Sequence, residues 1–177
     1  MLFLLFQLGN DRYVLEASRV VEVLPLLELK KIPQAPKGVA GLFNYRGRPV
    51  PAVDLSELTV DQPARERLST RIIVVKLVES SELRVDSSAS QLSTINSQPK
   101  LLGLIAEHVT EMLRRESKDF VDSGVQLGAA PYLGPVLMDG NGVIQWVYEQ
   151  RLLSEKVRDL LFSANEEGTM KNEECLG

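Results

Sequence analysis

His108 is the only histidine of the 177-residue chain, Cys175 is the only cysteine, and Asp54 closes the run Pro49-Val50-Pro51-Ala52-Val53-Asp54. Each is a residue type that can do chemistry, and each needs partners to do it. A histidine that ligates metal needs further histidines or cysteines, and one that acts as a base needs a nucleophile or carboxylate within reach. His108 sits in LLGLIAEHVTEML with neither beside it, and reads as a half-buried strand residue. A lone cysteine can build neither a disulfide nor a cysteine metal centre within one chain, which fits a reducing cytoplasm. The run Asp139-Gly140-Asn141-Gly142 lacks the spaced oxygens and closing glutamate of a calcium loop and reads as a hairpin turn. Asp54 has no second acid, base or metal site to work with. It is expected to accept backbone amides where a strand gives way to a helical turn at Leu55. No Gly-x-Ser-x-Gly, His-Glu-x-x-His or phosphate-cradling glycine loop occurs. The expectation is a protein that is not an enzyme, with no catalytic residue, no metal and no cofactor.

The residues with chemistry left to explain lie in GLFNYRGRPVPAVDL, Gly41 to Leu55, where Asn44-Tyr45-Arg46-Gly47 interrupts two apolar runs. Two readings compete: a hairpin turn with a solvated arginine, or a recognition loop. The guanidinium fork makes several directed hydrogen bonds while its stem and flat face pack on apolar surface, so arginine is enriched at interface hot spots. Gly47 permits a positive φ and a sharp reversal under either reading.

The elements that must position this loop are mostly strands. Short apolar runs bounded by turn residues recur at Leu2–Leu8, Tyr13–Glu16, Gly41–Asn44, Pro49–Val53, Arg71–Val78, Leu101–Arg114, Tyr132–Met138 and Val143–Tyr148. Many short strands with short connections argue for a barrel or sandwich. Three helical pieces are expected to interrupt them. Ser18 would cap a single turn with Val20 and Val23 on one face and Glu22 outward, and Leu55–Leu58 would form another brief turn. The stretch EQRLLSEKVRDLLFSA would form one long amphipathic helix burying Leu153, Val157, Leu160 and Leu161, with Glu155 and Arg158 outside.

At 44% hydrophobic residues the chain can build a packed core. A net charge of −4 with interspersed signs leaves no basic stripe for nucleic acid. The opening MLFLLFQLG is too short to span a bilayer and reads as a buried strand, so no direct membrane insertion is expected. Residues 79–100 are serine-rich and read as a long flexible loop, either a tolerated insertion or a docking segment, and residues 163–177 read as a polar, disordered tail.

The stretch Ile32 to Leu55 resembles the signature of CheW-like domains, the coupling proteins of bacterial chemosensory arrays. Pro33, Ala35, Pro36, Gly41, Asn44, Arg46, Gly47, Pro51, Asp54 and Leu55 all fall where that pattern expects them. The likeness extends to FLLFQLGNDRYVLEASRVVEVL and to GVIQWVYEQRLL, and covers roughly Met1 to Leu161. The resemblance implies a mainly β domain over residues 1–162, built of two packed five-stranded SH3-like barrels with a groove between them. It implies an adaptor that receives the cytoplasmic hairpin tip of a methyl-accepting chemoreceptor and docks the regulatory domain of a CheA-type histidine kinase. Arg46 would anchor the receptor, with Val20, Glu22 and Val23 beside it, while Asn44, Gly47 and Asp54 would shape the loop. The protein would be cytoplasmic, held at receptor arrays by protein contacts, and self-assembly within arrays is left open. The rival reading is a ligand-sensing barrel that binds a small molecule in the groove between the halves. In GLIAEHV, Gly103 to Val109, Ala106 and Glu107 stand where relatives carry Val-Asp, which puts the family's pairing at that point in doubt.

Overall fold

The computed structural model describes residues 1–77, 99–124 and 128–162. The chain is mainly β. Its strands are β1 (Leu2–Leu8), β2 (Asp11–Glu16), β3 (Val20–Pro25), β4 (Val39–Tyr45), β5 (Arg48–Asp54), β6 (Arg71–Leu77), β7 (Lys100–Arg114), β8 (Leu133–Asp139) and β9 (Gly142–Val147). Among the described residues two short α-helices accompany them, α1 (Leu55–Val60) and α2 (Glu155–Phe162). The serine-rich segment 79–98 and the tail 163–177 lie outside the described residues.

One long strand organises the rest. The first part of β7 pairs with β6, from Leu77↔Lys100 to Arg71↔Ala106, and in parallel with β5 through Ala52↔Gly103 to Asp54↔Ile105. Its last part pairs with β1, from Leu5↔Glu111 to Leu2↔Arg114. The strands thus form two five-stranded halves, β4-β5-β7-β6-β3 and β7-β1-β2-β9-β8, with β7 belonging to both. Each half is closed by a single antiparallel bridge. In the first, Lys30, beyond the end of β3, exchanges two 2.8 Å backbone hydrogen bonds with Leu42 of β4. In the second, Val121, beyond the end of β7, does the same with Val136 of β8.

This arrangement explains why so many strands read as continuous apolar runs. Successive side chains point to opposite faces, and here both faces are covered. On β6, Ile72 and Val74 fill the interior of the first half with Phe43, Val50 and Ile105, while Ile73 and Val75 face the other way. On β1, Leu4, Phe6 and Leu8 join Ile73 and Val75 in a layer shared by the two halves, and Phe3 enters the interior of the second half with Trp146 and Phe120. The space between the halves is therefore a packed apolar core in which Leu15, Val53, Leu102 and Leu104 are almost wholly buried.

Two helical expectations are corrected. Ser18 does not cap a helix: Ala17–Arg19 is one 3-10 turn, the Ser18 hydroxyl bonds the Glu16 carboxylate, and Val20–Pro25 is an edge strand. Three β-branched valines favour the extended form, and pairing with β6 secures it. A bulge between Val20 and Glu22 sets Val20 opposite Val75 and Val23 opposite Ile73, so the two valines still share a face, on a strand rather than a helix. The C-terminal helix is also shorter. Glu149–Arg151 is a 3-10 turn, Ser154 Oγ accepts the Val157 amide at 3.3 Å, and α2 begins at Glu155. Val157, Leu161 and Phe162 pack on the shared core, whereas Leu160 is 62% exposed, one position off the buried stripe.

Arg12 of β2 grips Asp139, at the end of β8, with both terminal guanidinium nitrogens, Nη1 donating to Oδ2 at 2.9 Å and Nη2 to Oδ1. The Arg12 hydrogen bonds, helped by the Asn141 amide, hold the Asp139 carboxyl down at about 2, against an ordinary 3.8. A depressed carboxylate stabilises the fold above its ordinary range and loses that contribution as pH falls toward its folded value. Urea titrations of Asp139→Asn and the parent should therefore differ most near neutrality and converge as pH falls from about 4 to about 2; a gap that is constant with pH would contradict this.

The first closing bridge predicts a sensitive position. A Cβ on Gly41, at φ +149°, would lie 2.5 Å from the Lys30 carbonyl oxygen, a backbone atom of the bridge itself. Gly41→Ala is expected to lower unfolding free energy by about 2–3 kcal/mol, at the upper end of ordinary single-site effects. An unchanged urea midpoint would show that closure at Lys30 and Leu42 does not matter to stability.

Candidate functional site

The polar knot of the sequence is the turn of the β4–β5 hairpin. Tyr45 pairs with Arg48, which leaves Arg46 and Gly47 as a two-residue loop. Both have positive φ, 52° and 83°, the signature of a type I′ turn, whose twist suits a hairpin. Asn44 Oδ1 accepts the Gly47 amide at 2.8 Å and secures the reversal.

This geometry is informative about Arg46. Type I′ turns favour Asn, Asp or Gly at that position, because other residues in the left-handed region carry a cost of about 1–2 kcal/mol. Turn formation therefore explains Gly47 and does not explain Arg46.

Around the arginine the structure assembles a small polar cluster across the seam between β3 and β4. Glu22 Oε2 accepts from the Tyr45 hydroxyl at 2.8 Å and from Arg46 Nη2 at 3.0 Å. The Arg46 guanidinium carbon sits 5.2 Å from the Tyr45 ring centroid, within cation–π range. The ring itself is buried and packs edge-on against Phe43 at 6.5 Å. The Tyr45 phenol is pushed up from its ordinary value, first by its hydrogen bond to Glu22 and then by desolvation. Arg46 is thus anchored at its base, yet its side chain is 74% exposed and its ion partner Glu22 is 36% exposed. An exposed ion pair contributes only about 0–1 kcal/mol, so a carboxylate or carbonyl on a partner can displace it at little cost.

The structure brings Arg46, Glu22, Asn44 and Gly47 together. Val20 is half-buried against the shared core. Val23 is exposed, and so is Val21, which the sequence did not single out. Asp54 lies elsewhere. It ends β5, whose six residue steps from Arg48 span about 20 Å. There its carboxylate caps α1 through the Ser56 and Glu57 amides at 2.9 and 3.1 Å and also accepts the Ala64 amide at 2.8 Å. Tyr45 is the residue that sequence reasoning missed: its position in Asn-Tyr-Arg-Gly hinted at stacking, but its bond to Glu22 depends on a seam between distant strands. His108 lies on β7 and is half-buried, with φ +47° where the strand shifts register on β1. Glu107 is buried and accepts the Arg65 amide at 3.0 Å.

Two closed five-stranded halves sharing a strand, with an arginine displayed on a tight hairpin, describe a β-scaffold that presents a surface. The chain belongs to the CheW-like domain family, whose model matches residues 2–157. It is similar to the chemotaxis protein CheW of Helicobacter pylori (strain ATCC 700392 / 26695), at 26% identity over 74 residues. That match spans 42% of this chain and 45% of the length of the curated relative. Its fold is similar to that of the scaffolding protein TtCheW from Thermoanaerobacter tengcongensis, with a TM-score of 0.68 and 20% identity over 86% of this chain and 87% of the other.

The turn geometry gives a test that needs no partner. Arg46→Asn supplies the residue that the turn prefers and removes an exposed ion pair of small worth, so stability should hold or rise by up to about 1 kcal/mol. A clear fall in the melting temperature would make Arg46 a structural residue.

Proposed function

We propose that the chain is a non-enzymatic adaptor that couples the cytoplasmic hairpin tips of chemoreceptors to a CheA-type histidine kinase in a bacterial chemosensory array. The observation that carries this reading is the display of Arg46 at a turn position whose backbone favours other residues. Membership of the CheW-like family supports it, as does the similarity to a chemotaxis protein and to a scaffolding protein. The site would work as a clamp. The fork of Arg46 hydrogen-bonds acceptors on a receptor helix, Glu22 limits the search of the free guanidinium, and exposed Val21 and Val23 on β3 supply apolar contact beside it. No bond is made or broken. The kinase regulatory domain docks on another face, and the stiff β-framework between the two faces holds the partners in fixed relation. Standard specific interfaces bury about 1,200–2,000 Å² in total, but arrays multiply weaker contacts, so modest single affinities suffice. The protein would be cytoplasmic and reach membrane arrays through its partners; among the described residues no helix is long and apolar enough to cross a membrane.

The small-molecule reading gains no specific support, since the layer between the halves is filled by Phe6, Leu15, Val53 and Leu102.

Calorimetric titration with a purified receptor hairpin-tip fragment tests the proposal. Arg46→Ala should weaken binding by about 2 kcal/mol, roughly thirtyfold, with little change in stability. Parent-like affinity in that variant would remove Arg46 from the receptor surface.

A further inference from the structure

Tyr45 is the last residue of β4 and alternates with Val39, Gly41 and Phe43, all buried, so its ring is directed into the first half. At this rim the ring meets Phe43 edge-on and the residue is only 7% exposed, so packing fixes it as it fixes a core side chain. A buried tyrosine has to find a partner for its hydroxyl where the ring emerges. Glu22 supplies it. On β3, Glu22 lies opposite Val74 and shares its inward face with Leu24, which packs on the same cluster as the Tyr45 ring. The phenol and the carboxylate therefore meet over the rim of one half, and the 2.8 Å bond joins a rigid donor to a half-buried acceptor.

That bond bears directly on the guanidinium. A free arginine side chain on a turn gives up its rotamer freedom when a partner fixes it, which subtracts from affinity. Here Nη2 is held 3.0 Å from Glu22 Oε2, and the guanidinium carbon stands 5.2 Å from the Tyr45 ring centroid. Both restraints lead back to Tyr45: its ring supplies one directly, and its hydroxyl supplies the other by fixing Glu22. Phenol and guanidinium donate to the same oxygen, so the carboxylate cannot follow the arginine into solvent without giving up the phenol. Among the described residues no hydrogen bond engages Nε or Nη1 of Arg46. An edge of the fork is left for a partner's acceptors.

We infer that Tyr45 is a positioning residue: through Glu22 it holds the Arg46 guanidinium in one direction before a receptor helix arrives, a role that rests on the adaptor reading and raises the affinity of the hairpin surface. A phenylalanine at this position would keep the buried ring and its stacked face and would lose only the bond to Glu22. Glu22 and Arg46 would then be two long side chains holding each other at the surface, a pair that solvent loosens readily. The receptor would have to order both.

The experiment compares the full chain with Tyr45→Phe, Glu22→Gln and the double variant by calorimetric titration with a purified receptor hairpin-tip fragment, with melting curves to check that each is folded. Tyr45→Phe should weaken receptor binding about fivefold, the contribution of one hydrogen bond. In the Glu22→Gln background the same substitution should change binding by less than about twofold, because a neutral amide holds the guanidinium weakly whether or not the phenol holds the amide. A tyrosine that only packs the rim would cost equal affinity in both backgrounds. That result would overturn the positioning role, and so would parent-like binding by Tyr45→Phe. A second readout needs no partner: the titration of the tyrosine rings followed by NMR, with the Tyr45 signal assigned by its loss in Tyr45→Phe. The phenol is pushed up first by its bond to Glu22 and drawn down by the Arg46 charge, so it should titrate lower in Glu22→Gln and higher in Arg46→Ala. A phenol unmoved in both variants, in a parent that binds the receptor fragment, would overturn the positioning role and leave the adaptor reading standing. A parent that does not bind the fragment would overturn the adaptor reading, and the positioning role with it.

Discussion

A single fifteen-residue strand has to serve two closed sheets, and most of the architecture follows from how β7 does so. Its first part is enclosed by β5 and β6, its last part lies against β1, and it cannot run straight from one to the other. The register on β1 moves from Gln7↔Glu107 to Leu5↔Glu111, with His108 in the left-handed region between them. That bulge redirects the strand, and it lets Ile73, Val75, Leu102 and Leu104 from one half meet Leu4, Phe6 and Leu15 from the other. The shared core then makes the halves one rigid body of side chains. Against such a body a surface loop can be held in a fixed direction.

The two ends of β5 use that rigidity differently. At the hairpin end, a backbone conformation poorly suited to arginine is maintained by a good turn glycine, the Asn44 bond and the Tyr45–Glu22 bond across the seam. At the other end, Asp54 and Glu107 hold the amides of a loop whose outer residues are exposed. In both places buried or half-buried acceptors fix a segment from below. At the hairpin this leaves the exposed side chain of Arg46 arranged in advance, which is what affinity at a contact surface depends on.

Much of the fold was legible in the sequence because its signals are local. The apolar runs became strands, Asp139 to Gly142 became the β8–β9 turn, and Asp54 became the cap of α1. The errors fell where local pattern is ambiguous. In Val20-Val21-Glu22-Val23 the spacing of Val20 and Val23 fits one face of a helical turn, and a bulged strand produces the same shared face. Leu160 fitted a helical stripe, but the shared core meets α2 only along Val157, Leu161 and Phe162. Glu107 stood out as a departure from the family pattern, and its partner, the Arg65 amide, is 42 residues away. Tyr45 could not be read as part of the site, because the seam that brings it to Glu22 is a product of barrel closure.

The proposed adaptor role depends most on the hairpin turn and β3 together forming the receptor surface. Backbone amide shifts of isotopically labelled chain, followed during titration with a receptor hairpin-tip fragment, test it most directly. The largest changes should fall on residues 20–23 and 44–48, with those of β8 and β9 unmoved. Changes centred on β8 and β9, with the Arg46 and Gly47 amides unmoved at saturation, would contradict it.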